Sequence, residues 1–335
     1  MNNSSRNLGI DTVKAISIIL VLIWHLQPVT EAMLSSNCFF GTYAWRTVDI
    51  FYRYVTLLAV PTFIFVSLYL FIEKTSLNRN YWRKRLLRLV QLFLFWTCIQ
   101  FIFYLLAGGG LPLPFKTIIP NGGPDLPHVG GSVFYFLFIL LKSIVLTFLF
   151  LKVPETIKMP LSVLLIAMSS LYFVLAPIFK ISIDTMSMKN FYLYVPLAYY
   201  LVKYPQQFMR LRIVFIIGYF LAVIYEEFYL NNFVAAYGRL SVLLGVLSFI
   251  SLFLQANITS RRPIEFLSKY SLGIFALHKY WQYIFVILIG IDKAPEKLYA
   301  MPIATAQLLL FIATVMFTTV SVYLLNKTKL KIYVS

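Results

Sequence analysis

The run "GIDTVKAISIILVLIWHLQPV" (residues 9–29) holds three side chains that an apolar helix has no structural use for: Asp11, Lys14 and His25. Histidine, with an ordinary pKa of about 6.5, keeps a neutral ring nitrogen available to take a proton, so His25 is a candidate general base. Lysine offers a positive charge that can assist or orient an anion, and Asp11 is a ready partner for it. Lys14 and His25 are eleven residues apart. At about 100° per residue they return to within roughly 20° of each other, with about 16 Å of rise between them. Asp11 falls within about 60° on the same side. A single polar stripe therefore runs along one helix. A plainer reading stands beside it: Asp11 and Lys14 close an interfacial ion pair, Lys14 snorkels, and His25 bonds a neighbouring helix. The spacing lets these residues cooperate without requiring it.

The stripe matters because of where it sits. The chain is 60% hydrophobic and only 12% charged over 335 residues, against about 25% charged residues in a soluble domain. That composition places it in a membrane, where a charge costs about 2.5–3.5 kcal/mol at mid-depth and must face a cavity or another helix. Candidate spans fall near 9–28, 49–72, 86–107, 133–151, 160–179, 190–203, 212–231, 239–255, 270–290 and 302–325, the sixth being short and holding Pro196. The expected fold is all-α: a polytopic bundle of about ten transmembrane helices forming one domain over 1–335. With the N-terminus in the cytoplasm, 18 of the 29 basic residues lie inside, eight outside and three (Lys14, Lys142, Lys279) within spans. The excess of inside charge predicts that both termini are cytoplasmic. The net charge of +17 is scattered in short clusters between apolar runs, so nucleic acid is not an expected partner. Cys38 and Cys98 have no metal-site spacing, and His25, His128 and His278 form no sequence cluster, so no metal is expected.

The other candidates are spread along the chain. Lys84, Arg85 and Arg88, with Arg83, form the densest basic segment. Arg85 and Arg88 are one helical turn apart and could receive phosphate charges, or anchor the helix at acidic lipid. His278 and Ser271 share a helix face, as a second polar site or as helix–helix glue. Glu226, beside Glu227, could bind sugar hydroxyls or pair with Arg239. The segment 108–132, rich in Gly and Pro, reads as an outside turn-dense loop folded back over the helices.

Four stretches, taken in order, resemble the membrane acyltransferase-3 family. "IDTVKAISIILVLIWHL" matches its first-helix signature of a basic residue, ten residues, then His, through Lys14 and His25. "VPTFIFVSLYLF" (60–71) is similar to its second-helix motif, with Leu68 where Gly usually follows Ser67. "YWRKRLLRLV" (81–90) resembles its Arg-x-x-Arg segment through Arg85 and Arg88, and "YSLGIFALHKYW" (270–281) its late motif ending at His278. The resemblance implies transfer of an acyl group, commonly acetyl, from cytoplasmic acyl-coenzyme A to a carbohydrate or lipid-linked carbohydrate at the cell membrane. No permanently bound cofactor is implied. On this expectation His25 is the base and Lys14 assists. Arg85, Arg88 and Lys84 meet the donor, while Asp11, Ser67, Ser271, His278 and Glu226 support the site or the acceptor. The rival reading is a non-catalytic exporter of a glycan or lipid-linked precursor, since polar stripes also mark transport paths.

The topology is directly testable. Membrane-impermeant thiol labelling of single-cysteine variants is expected to reach 108–132 and 290–302 from outside and to miss 74–88 and the C-terminus. Labelling of residue 80 from outside would contradict it.

Overall fold

The computed structural model describes residues 7–34, 39–78, 80–110, 118–181, 184, 187–230, 236–254, 262–289 and 303–335. Cys38, Arg79, Lys116 and the 290–302 loop lie outside the described residues. Helices account for the architecture, and the one β-type feature among the described residues is an isolated bridge between Leu126 and Gly130. This is what a bilayer demands, because a helix satisfies its backbone polar groups without water.

The principal helices are α1 (Leu8–Leu26), α2 (Phe39–Ile50), α3 (Ala59–Leu77), α4 (Tyr81–Leu106), α5 (Tyr135–Lys152) and α6 (Glu155–Ile178). They continue as α7 (Tyr194–Lys203), α8 (Arg212–Tyr229), α9 (Leu240–Phe253), α10 (Arg262–Ile289) and α11 (Ile303–Leu325). Each apolar run of the sequence is largely helical among the described residues. Among the described residues, seven helical stretches are long and apolar enough to cross a membrane, one of them the continuous Gly41–Leu77. The remaining three runs differ from a full span for separate reasons. At ten residues, α7 rises only about 15 Å, half the hydrocarbon thickness. With 14 residues α9 is also short, and α8 carries Arg212, Glu226 and Glu227 within 18 residues.

Several helices begin earlier than the hydropathy suggests, α4 and α10 among them. α4 starts at Tyr81 rather than 86, and α10 at Arg262 rather than 270. The first turns of both are polar, and a helix can extend into the headgroup region on side chains that prefer water. Pro263 sits in the first turn of α10, where its missing N–H costs nothing. Likewise α2 runs into α3 through a π-helical turn at Phe51–Val55 and a 3₁₀ turn at Thr56–Leu58, neither of which hydropathy can mark.

The helices gather into two compact units. The first comprises Met1–Ser17, Leu57–Gln91 and Ile139–Arg261, and the second Ile18–Thr56, Leu92–Phe138 and Arg262–Ser335. α1 and α4 thus each contribute residues to both.

In the first unit α8 packs on α9, and α7 packs on α3 and α6. Gly9 lets α1 approach α9 closely: a Cβ there would lie 2.4 Å from the Phe253 carbonyl oxygen, a backbone atom that cannot rotate away. At the start of α6, Glu155 accepts from Lys158 Nζ at 2.8 Å and Lys203 Nζ at 2.7 Å, and the Tyr199 hydroxyl donates to it at 2.9–3.0 Å. That clamp ties α6 to α7. Glu226 is buried, and its carboxylate accepts from the Ser241 backbone N–H at 2.9 Å and from the Ser241 hydroxyl. It therefore caps the N-terminus of α9, where free N–H groups and the helix dipole favour an anion.

In the second unit α10 packs along α11 and against the C-terminal turn Lys331–Val334. Trp96 Nε1 donates to Tyr333 O at 3.2 Å, and the Phe95 and Tyr333 rings stack at 3.8 Å. The described part of the Gly/Pro-rich loop does fold onto helices: Leu126 and Val129 are buried, and Gln100 Nε2 donates to Pro124 O at 2.7 Å. The chain reverses between Leu126 and Gly130 with His128 at φ +66°.

Because both Glu226 oxygens are spent on Ser241, Glu226→Ala is expected to leave a buried N–H unpaired and cost about 1–3 kcal/mol. A lowered thermal midpoint, with folded protein keeping its activity, is the expected measurement. Undiminished stability would contradict the capping role.

Candidate active site

His25 lies at the last turn of α1, where carbonyl groups have no partners within the helix. The sequence ends this helix sharply: Gln27 adopts φ +38° and Pro28 follows, which cannot continue it. Two glutamines from other helices of the same unit supply the missing donors. Gln282 Nε2 of α10 donates to His25 O at 3.0 Å, and Gln307 Nε2 of α11 donates to Leu26 O at 2.7 Å and Gln27 O at 2.9 Å. Tyr52, in the π-helical turn, then holds the adjoining segment, donating to Val29 O at 2.8 Å and accepting from Val29 N at 3.1 Å. The backbone bearing His25 is thus pinned on three sides.

Its imidazole meets a second one. The His25 and His278 ring centroids are 5.0 Å apart, tilted by 40°. His278 is wholly buried, with Nδ1 at 2.8 Å from Phe275 O and 3.3 Å from Ile274 O. A carbonyl only accepts, so Nδ1 carries the proton and Nε2 is left as an acceptor. Nε2 is buried and makes no hydrogen bond; the same is true of Gln282 Oε1 and the Tyr280 hydroxyl. Beside them, Lys279 Nζ donates to Val129 O at 2.7 Å and so fastens the 118–134 segment to α10. Buried unpaired polar atoms are costly, and α10 gathers three of them within one and a half turns.

The first unit contains a different kind of site. A cavity of about 150 Å³ is lined by Lys14, Ser67, Lys74, Tyr81 and Arg85 over an apolar floor that includes Phe63 and Leu70. Helical spacing builds it: Phe63, Ser67, Leu70 and Lys74 follow one face of α3, and Tyr81 and Arg85 are one turn apart on α4. Three cationic side chains and two hydroxyls around one small cavity are the donor set that an anion would need.

The structure divides the basic cluster of the sequence. Arg85 lines this cavity, whereas Lys84 and Arg88 are exposed and do not. Arg83 borders a neighbouring open hollow of about 380 Å³ with Lys152, where Trp82 and Phe148 stack at 4.3 Å. Lys74 and Tyr81 were not singled out by sequence; their signal was the seven-residue spacing from Ser67 to Lys74 and the four-residue spacing from Tyr81 to Arg85. The sequence places Lys279 within a span, itself a signal, but assigns it no role, and nothing in the spacing marks Gln282.

The remaining candidates take more local roles. Asp11 is buried on α1, and its backbone N–H donates to Asn7 O. Ser271 is buried and donates to Ser268 O of its own helix at 3.0 Å. Glu226 is the α9 cap described above. Among the described residues no group of three or more His, Cys, Asp or Glu side chains is placed to hold a metal ion.

The acyltransferase-3 family model, described as an acyltransferase domain, matches residues 7–326. No curated protein and no solved structure matches the chain. The match runs through both units and takes in α1 with Lys14 and His25, the anion cavity and the His25–His278 contact, so the chain belongs to the acyltransferase-3 family of multi-pass membrane proteins.

Proposed function

We propose that this chain is an O-acyltransferase of the cell membrane. It moves an acyl group, acetyl in the simplest case, from cytoplasmic acyl-coenzyme A to a hydroxyl of a surface glycan or lipid-linked glycan precursor. The observation that carries the reading is the contact of His25 with His278 on a firmly anchored helix end. A titratable ring held at fixed geometry beside a second ring is what hydroxyl activation requires.

In this reading His25 takes the proton of the acceptor hydroxyl as its oxygen bonds to the thioester carbonyl carbon. The C–S bond then breaks, and the leaving thiolate recovers the proton from His25. The donor is anchored through phosphate by the cavity of Lys14, Lys74 and Arg85. At about 150 Å³ that cavity suits a phosphate group rather than a whole nucleotide. Lys14 belongs to the donor end, about 16 Å of helix away from His25, so the two act on different parts of the reaction. The basic-residue bias supports ten crossings with both termini cytoplasmic, which puts this cavity on the donor's side. α7 then crosses as an irregular segment, which the burial of its own side chains, Tyr194 and Leu201 among them, permits.

Two measurements test this reading. With labelled acetyl-coenzyme A and a glycolipid extract of the producing cells, His25→Ala and His25→Gln are each expected to lose about a hundredfold or more in turnover while remaining folded. Near-normal turnover in folded His25→Ala would refute the base and favour the exporter reading. Arg85→Gln and Lys74→Gln are expected to raise the KM for acetyl-coenzyme A, as high salt does for the unaltered protein. Arg88→Gln is expected to leave it unchanged, and Lys14→Arg to retain activity that Lys14→Ala loses. Equal effects at Arg85 and Arg88 would detach donor binding from this cavity.

A further inference from the structure

We infer that His278 is a positioning residue for His25: it accepts the His25 ring N–H and thereby fixes which His25 nitrogen keeps its lone pair for the acceptor hydroxyl. The inference rests on the reading of His25 as the base. Its foundation is the state of His278 itself. With Nδ1 committed to Phe275 O and Ile274 O, the ring has one acceptor left, Nε2, and that atom is buried without a partner. Hiding such an atom is costly, so a fold that does so at zero exposure reserves it for something. The His25 ring lies 5.0 Å away between centroids and carries an N–H that a ring rotation would direct at that atom.

The chemistry needs such an acceptor. An imidazole acts as a base through one nitrogen only when the other holds the proton, and an orienting group sets that choice. In Ser-His-Asp sites a carboxylate does it. Among the described residues no carboxylate acts on either ring, and the charge that acts on both is the Lys279 ammonium. As the acceptor proton arrives, His25 becomes an imidazolium beside that ammonium. The His278 lone pair, directed at the opposite N–H, offsets part of the cost. His278 neither gains nor loses a proton in the cycle: it keeps Nδ1–H, while the acceptor proton passes to the outward nitrogen of His25 and on to the leaving thiolate. One other acceptor lies close by, Gln282 Oε1, also buried and unpaired, on the side chain whose Nε2 already holds His25 O.

The three histidines of the chain make a direct test feasible. Nitrogen-15 spectra of histidine-labelled full-length protein in micelles read the tautomer of each ring. The expected result is His278 protonated at Nδ1 and His25 in a single tautomer. In His278→Phe the His25 tautomer becomes mixed or reversed, and kcat falls about tenfold or more with the acetyl-coenzyme A KM within about twofold. His278→Gln, whose amide oxygen still accepts, restores both. His278→Asn, too short to reach, repeats the Phe result should that variant fail to fold. In a His25→Ala background His278→Phe adds nothing further. An unchanged His25 tautomer and unchanged kcat in folded His278→Phe would overturn the inference, as would a tautomer that follows Gln282→Leu instead. The spectra need no turnover, so tautomer coupling in a protein without transferase activity would support the hydrogen bond and sink the enzymatic reading separately.

Discussion

A helix that ends within a membrane protein leaves carbonyl groups that neither water nor lipid will satisfy, and the end of α1 is built around that constraint. His25, Leu26 and Gln27 would each expose an orphan carbonyl; Gln282 and Gln307 donate to all three. Donors of this kind have to come from neighbouring helices, so capping the end also fixes it laterally. The side chain at position 25 is then set against α10 with little freedom, and the residue of α10 whose ring meets it is His278. The proposed catalytic geometry is thus a consequence of hydrogen-bond satisfaction. Replacing Gln282 removes a cap before it removes any chemistry.

The same logic distributes the other polar groups. Glu226 neutralises the start of α9, Glu155 joins two helices through two lysines and a tyrosine, and Lys279 secures a loop carbonyl. Each of these charges is occupied by structure. By contrast, His278 Nε2, Tyr280 Oη and Gln282 Oε1 are buried without partners, and one small cavity draws Lys14, Lys74 and Arg85 together. Unpaired polar atoms mark the one candidate site, and a cluster of basic side chains marks the other.

Much of the fold was legible from hydropathy alone, since every apolar run is largely helical among the described residues, and the folded-back loop could be anticipated from its glycines and prolines. What hydropathy could not give was the depth of α4 and α10 into polar surroundings or the π-helical junction before α3, whereas the shortness of the 190–203 run was visible in the sequence. The first two depend on packing and on helix ends. The site was partly legible for a similar reason. The Lys14–His25 spacing and His278 are marked by residue type and family motif. The split of the basic cluster into Arg85 on one face and exposed Lys84 and Arg88 on others needs helix rotation relative to a partner, which sequence spacing does not supply. Lys74 joins Lys14 only because both helices border the same cavity.

The most direct measurement of the central claim is mass spectrometry of surface glycans from producing cells, with and without this chain. The account predicts that an ester-linked acyl group disappears when the chain is absent and returns with the unaltered protein, but not with His25→Ala expressed at the same level. Unchanged acylation without the chain, or full restoration by His25→Ala, would contradict it.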